Sequence, residues 1–183
     1  MGGSVDHDNG IMYVTSNNIL WETGINKIED KKSLIPKYSS YFNRALDKNG
    51  YPVTKPPWGS LTALDLNKGK IIWQVPFGEY DYLKKKGFPN TGTENFGGVT
   101  ATAGNIAIAS GTLDKKVYVF DSNNGDVLFS KELPFIGSGP PSTYLYDEKQ
   151  YIILHSSGGK TLKKGYPNLC LLYTSDAADD GLS

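Results

Sequence analysis

The chain has 183 residues, of which 38% are hydrophobic, enough to bury the core of one ordinary globular domain, so we do not expect wholesale disorder. Its 19 basic and 19 acidic residues cancel, and the longest run of like charge is three lysines at 84–86, so we predict no nucleic-acid partner. The single cysteine, Cys170, excludes an internal disulfide and a cysteine-rich zinc site.

Short apolar segments, rich in β-branched and aromatic residues, predict strands along most of the chain. They are separated by turn residues such as Asn-Lys-Gly and Asn-Asn-Gly. In chain order they read GIMYVTS, LTALDL, KIIWQV, NIAIAS, KVYVFD, DVLFSKEL and QYIILHSS. Helical periodicity is weak, and the stretches 38–46 and 80–87 are each predicted to hold a turn or two of helix between strands. The sequence therefore indicates an all-β fold.

One pattern occurs twice, 56 residues apart, at 63–73 and 119–129. In each copy an Asp is followed four residues later by a Gly and four residues after that by an aromatic residue. The residues are Asp65, Gly69 and Trp73 in the first copy and Asp121, Gly125 and Phe129 in the second. Asp caps the N–H groups of a turn, Gly accepts a positive φ, and the aromatic ring can pack on a neighbouring unit. We therefore predict two similar hairpins that dock on adjacent units.

A second repeat concerns the strand pairs that precede these hairpins. A glycine pair leads through a turn into an apolar strand at 2–16 and again at 97–111, and 144–159 holds a third strand pair without the glycines. Repeats of this size, each a small antiparallel sheet, are typical of a β-propeller or a similar radial array, because one unit cannot bury its own faces. Three partial units are too few to close a ring.

The Ala-x-Asp-x-x-x-Gly-x-x-x-Trp motif at 63–73 resembles the tryptophan-docking repeat of the pyrroloquinoline quinone (PQQ)-dependent dehydrogenases, which are eight-bladed β-propellers. The likeness is to the membrane glucose dehydrogenase-like branch and is most specific at 55–134, which contains KPPWGSLTALDL and TENFGG. It implies an all-β, partial β-propeller of about three of the eight blades. On this interpretation 1–165 forms carboxy-terminal blades, 22–57 is an inter-blade insertion, and 166–183 is an atypical tail outside the fold.

The resemblance also implies that the chain is a fragment. The opening Met-Gly-Gly-Ser is similar to the inside of a motif that reads Asn-Trp-Gly-Gly in relatives, with Met1 at the Trp position. Amino-terminal blades would then carry the general-base Asp, the calcium ligands and the Trp beneath the quinone. No catalytic residue and no metal ligand is assigned to these 183 residues, and we expect them to show no dye-linked dehydrogenase activity by themselves with PQQ and calcium.

For the parent protein, the resemblance implies oxidation of a sugar or alcohol hydroxyl with PQQ and calcium as cofactors. A membrane quinone or a cytochrome would accept the electrons, and the location would be periplasmic, with membrane association through the amino-terminal part. A second interpretation is a non-catalytic propeller that acts as a scaffold for protein interactions, because the docking motif alone is structural. KPPWGSLTALDL and TENFGG favour the dehydrogenase, since a scaffold has no reason to contain them.

The resemblance points to Asn95, Phe96, Gly97 and Gly98 as the residues that contact the cofactor. Consecutive glycines let the backbone approach a flat ring, and the neighbouring aromatic side chain can cover the edge of that ring. Asn95 is a candidate donor to a quinone carbonyl. The alternative is that the two glycines only relieve crowding where inner strands converge.

Overall fold

The computed structural model describes residues 2–28 and 37–156 and the backbone of 170–174. All strand pairs in the described part are antiparallel, and the one helix there has five residues, which confirms the predicted all-β class. The strands are β1 (Gly3–Asp6), β2 (Ile11–Asn17), β3 (Trp21–Ile28), β4 (Lys37–Arg44), β5 (Gly59–Asp65), β6 (Lys70–Pro76), β7 (Val99–Ala101), β8 (Ile106–Ser110), β9 (Lys116–Asp121), β10 (Val127–Glu132), β11 (Ser142–Tyr146), β12 (Lys149–His155) and β13 (Cys170–Thr174). One short helix, α1 (Asp81–Lys85), follows β6, within the predicted helical stretch 80–87.

These strands form three successive sheets and one separate pair. Sheet 1 has the strand order β1-β2-β5-β6, sheet 2 the order β7-β8-β9-β10, and sheet 3 the order β11-β12-β13. The pair β3-β4, hereafter the ribbon, pairs with no strand of these sheets among the described residues. Sheets of this kind that follow one another along the chain are the blades of a propeller, and three of them make a partial one.

The two copies of the Asp-Gly-aromatic pattern fold alike, as predicted. The Asp65 carboxylate accepts the N–H groups of Asn67 and Lys68, and Gly69 takes φ +63°. In the second copy the Asp121 carboxylate accepts the N–H of Asn123, and Gly125 takes φ +79°. In both hairpins the strand register shifts by one residue just before the aromatic position. A bulge therefore lies at the same place in both copies.

Two hydrophobic clusters hold the three sheets together, and both use sheet 2. Alternate residues of β8 and β9 point to opposite faces, so both faces of this sheet are buried. One face packs against sheet 1 through Tyr13, Leu61, Ala63, Trp73, Phe77, Val99, Ala107, Ala109, Tyr118 and Phe120. The other packs towards sheet 3 through Ile108, Val117, Leu133 and Leu154. The core therefore lies between the sheets, as in stacked repeats.

Trp73 joins sheet 1 to sheet 2 directly. Its indole N–H donates to the Ser122 carbonyl at 2.9 Å, in the β9–β10 turn, and its ring covers Gly125 of that turn. The hydroxyl of Tyr13 donates to the same carbonyl at 3.5 Å. The turn of one hairpin is therefore the docking site for the aromatic residue of the previous one, which is the arrangement that the repeat predicts.

The structure corrects two details of the predicted organisation. The stretch 38–46 is predicted as helix but lies largely in β4, because its residues pair antiparallel with the strand β3. The insertion 22–57 leaves from β2 and returns at β5, which are neighbours in sheet 1, so it interrupts one sheet and does not join two blades.

The tail at 166–183 also differs from its prediction in part. Within it the structure describes only β13, which pairs antiparallel with β12, so this part continues sheet 3 instead of lying outside the fold. The remainder of the tail lies outside the described residues.

A matched pair of substitutions tests the docking of Trp73. Gly69 and Gly125 both have a positive φ, so alanine at either position strains the backbone by about 1–2 kcal/mol. A Cβ at Gly69 meets nothing within 4 Å, whereas a Cβ at Gly125 would lie 2.7 Å from the Trp73 ring. We expect Gly125→Ala to lower the free energy of unfolding by about 1–3 kcal/mol more than Gly69→Ala in urea denaturation. Equal losses would contradict the docking.

Candidate functional site

The predicted cofactor segment runs from sheet 1 into the first strand of sheet 2. Asn95 is fully buried and forms a bridge with Thr112. Its side-chain amide donates to the Ser16 carbonyl at 3.0 Å and to Asn17 Oδ1 at 2.7 Å, and its backbone N–H donates to the same Asn17 oxygen. Asn17 in turn donates to the Asn95 carbonyl at 2.9 Å. The segment is therefore tied to the end of β2.

This geometry bears on the predicted role of Asn95. Both of its amide hydrogens are engaged within the protein, so none is left for a quinone carbonyl. Its Oδ1 is buried and has no hydrogen-bond partner among the described residues. The free atom is thus an acceptor, and the side chain acts first as a link between the two sheets.

Gly97 and Gly98 lie in close contact with other parts of the chain. A Cβ at Gly97 would collide with the Ser110 carbonyl oxygen and would lie 2.8 Å from that of Gly137. A Cβ at Gly98 would lie 2.9 Å from the Pro140 side chain. Packing within the chain is therefore sufficient to require both glycines, as the crowding alternative predicts.

Phe96 is half-buried and lies beside a cluster that the sequence did not reveal. The guanidinium carbon of Arg44 is 5.8 Å from the centre of the Phe96 ring and 4.9 Å from that of Trp21. Arg44 Nε pairs with the carboxylate of Glu94, at 2.7 Å from Oε2 and 2.9 Å from Oε1. Trp21 and Arg44 face each other at the base of the ribbon, so the inserted ribbon is fastened to the candidate segment.

The charge of Glu94 also acts on a neighbouring tyrosine. Burial, followed by the negative charge of Glu94, raises the pKa of Tyr80 to about 12, and the positive charge of Arg44 opposes this shift. The Tyr80 hydroxyl therefore stays protonated at neutral pH and can serve only as a neutral hydrogen-bonding group. The one sequence signal for this cluster is that Arg44 is the sole arginine among 19 basic residues.

A cleft of about 610 Å³ lies away from the candidate segment, and none of residues 95–98 lines it. Its walls include Tyr51, Trp58, Tyr82 and Phe88. Trp58 is 6% exposed and stacks on Tyr51, with ring centres 6.0 Å apart, and its indole N–H donates to the Thr54 carbonyl. It thus packs as part of the core at the edge of the cleft.

Two negative findings concern the described residues. No group of three or more His, Cys, Asp or Glu side chains in this part of the chain could hold a metal ion. None of the helices described there is long and apolar enough to cross a membrane.

Comparison with known proteins decides the family. The family model for the glucose/ethanol/alcohol dehydrogenase β-propeller domain (PQQ) matches residues 1–152. The chain belongs to this PQQ-dependent dehydrogenase family.

Several curated members of the family are similar in sequence. Quinate/shikimate dehydrogenase (quinone) of Acinetobacter baylyi is 31% identical over 125 residues, or 64% of this chain. A probable quinate dehydrogenase (quinone) of Xanthomonas campestris is 33% identical over 130 residues, or 67% of this chain. Quinoprotein glucose dehydrogenase of Escherichia coli is 31% identical over 129 residues, or 66% of it. Each alignment spans only 16% of the relative's own length.

Solved structures of the family share the fold. The europium-containing methanol dehydrogenase superposes with a TM-score of 0.61 at 22% identity, covering 85% of this chain and 24% of its own. The quinohemoprotein alcohol dehydrogenase of Comamonas testosteroni gives 0.53 at 21% identity, covering 85% of this chain and 21% of its own. The predicted family and the partial propeller are thereby confirmed.

Replacing Asn95 tests whether this segment depends on its buried link. We expect Asn95→Ala to lower the free energy of unfolding by about 2–4 kcal/mol, because the Ser16 carbonyl and the Asn17 side chain lose buried partners. Asn67→Ala is the matched control, since the Asn67 side chain is exposed and donates weakly to the Asn9 carbonyl at 3.5 Å. Chemical denaturation of both variants measures the difference. A loss below about 1 kcal/mol for Asn95→Ala would contradict the link.

Proposed function

We propose that this chain forms part of a PQQ-dependent dehydrogenase that oxidises a hydroxyl group of a sugar or an alcohol. The observation that carries the proposal is the family match over residues 1–152, which spans sheets 1 and 2 and the candidate segment. The relatives named for glucose and for quinate support a polyhydroxylated substrate. The repeats and the Trp73 contact account for the architecture, and the segment 95–98 is the part that bears on the chemistry.

Among the described residues, the segment 95–98 fits contact with the cofactor. At Gly97 and Gly98, atoms of the chain itself occupy the space that a Cβ would need. A bound ring would therefore contact the segment from another side. Phe96 is half-buried beside Arg44, so part of its ring is accessible to a bound cofactor. PQQ, when bound, supplies the group that accepts hydride from the substrate. Here Phe96 and the backbone at 97–98 would contact it, and Asn95 would hold that backbone in place.

The finer parts of the proposal concern the rest of the parent protein. Calcium would be held by residues that precede this chain, and the periplasm would be its location. A membrane quinone or a cytochrome would accept the electrons, which is supported by the words "quinone" and "quinohemoprotein" in the names of relatives. The inactivity of the 183 residues by themselves with PQQ and calcium stays a prediction.

Binding of PQQ to the purified 183-residue chain tests the proposal. We expect saturable binding, followed through quenching of tryptophan fluorescence, and a loss of about tenfold in affinity for Phe96→Ala because the aromatic contact is removed. Phe88→Ala is the matched control, since Phe88 is 64% exposed and lines the separate cleft. Thermal unfolding of each variant checks that the fold is intact.

Two results would overturn the assignment of this segment. The first is the absence of PQQ binding to the chain. The second is an equal loss of affinity for Phe96→Ala and Phe88→Ala, which would place the contact outside the segment 95–98 or make it unspecific.

A further inference from the structure

Arg44 is an unusual residue in this chain. It is the sole arginine in the sequence, where the other 18 basic residues are lysines. It stands within 6 Å of two aromatic rings and beside a carboxylate that is 6% exposed. A planar guanidinium can stack on rings and pair with a carboxylate through Nε at the same time, which the ammonium group of lysine cannot do. The position therefore uses the properties of arginine.

Only part of the Arg44 guanidinium is hydrogen-bonded within the described protein. Its Nε side faces Glu94, while neither terminal amino group has a hydrogen-bond partner among the described residues. The side chain is 25% exposed, so part of it is accessible from solvent. The two of them form the end of the guanidinium fork, whose geometry matches two oxygens of one planar acid group.

We propose that the free end of Arg44 binds an organic carboxylate beside Trp21 and Phe96. The flanking rings can pack against the apolar part of the molecule that carries the carboxylate, and the neighbouring Phe96 belongs to the segment proposed to contact the cofactor. The source of the carboxylate rests on the proposed function. It belongs either to the substrate, as an acidic sugar or a hydroxy acid, or to PQQ, which carries carboxylates of its own. In either case, Arg44 positions an anionic group next to the candidate segment.

The negative charge of Glu94 affects how tightly Arg44 binds a carboxylate. Glu94 and Arg44 together are neutral, so binding depends on directed hydrogen bonds more than on net attraction. Glu94 also repels an arriving carboxylate. Glu94→Gln retains an acceptor for Arg44 Nε and removes the negative charge, so it is expected to tighten carboxylate binding several-fold. A variant that merely damaged the fold would not gain affinity.

The sole arginine gives a direct reporter, because the ¹⁵N-labelled chain has one arginine Nε–H signal. The probes are glucuronate, neutral glucose as its counterpart without the carboxylate, and PQQ. We expect glucuronate to move the signal saturably and glucose to leave it unmoved. A response to PQQ alone would assign the carboxylate to the cofactor. No response to either carboxylate would overturn the proposal.

Variants test whether the carboxylate binds at this arginine. In calorimetric titration, Arg44→Gln is expected to weaken binding of the responding carboxylate about tenfold, through loss of a charge-assisted pair. Lys86→Gln is the matched control, because Lys86 also lies over an aromatic ring, 4.5 Å from the centre of Tyr82. Equal losses in the two variants, or weaker binding in Glu94→Gln, would overturn the proposal. A glucuronate response in a chain that fails to bind PQQ would refute the proposed function alone.

Discussion

The indole N–H of Trp73 donates across the boundary between the first two sheets, to the carbonyl of Ser122. A sheet with only one covered face would leave apolar side chains in water, and the four-stranded repeat has two such faces. The Trp73 contact joins the two sheets at one defined point, the turn between β9 and β10. Tyr13, Phe77 and Phe120 then fill the space between them. Stacking of sheets 1 and 2 therefore combines apolar packing with a bond made at a hairpin turn.

The packing of sheet 2 on sheet 1 also determines where the candidate segment lies. Once sheets 1 and 2 are docked, the chain that enters β7 must pass between the end of β2 and the strand β8, where there is room only for glycine at position 97. Asn95 closes this crossing with hydrogen bonds to Ser16 and Asn17. Phe96 is then left at the rim, where Arg44 reaches it from the base of the ribbon. The position of the site therefore results from the packing between the repeats.

The sequence predicted those features that depend on local chemistry. Asp65 and Gly69 form a turn by bonds within a few residues, so the two hairpins and the docking of Trp73 followed from spacing alone. The stretch 38–46 was wrongly predicted as helix because its strand partner, β3, is separated from it in the sequence. The spacing of residues within the stretch does not reveal that partner. The Arg44–Glu94 pair joins residues fifty positions apart, and only the folded structure brings them together. The crowding at Gly97 likewise arises from Ser110 and Gly137.

The most direct test of this account is the stability of Trp73→Phe. The substitution keeps a ring at the docking site and removes the N–H that Ser122 accepts, so a loss of about 1–3 kcal/mol in the free energy of unfolding is predicted. Trp21→Phe makes the same chemical change at a residue that is 41% exposed and is predicted to cost less than about 0.5 kcal/mol. Equal effects of the two substitutions, measured by urea denaturation, would contradict the claim that this bond helps to hold the sheets together.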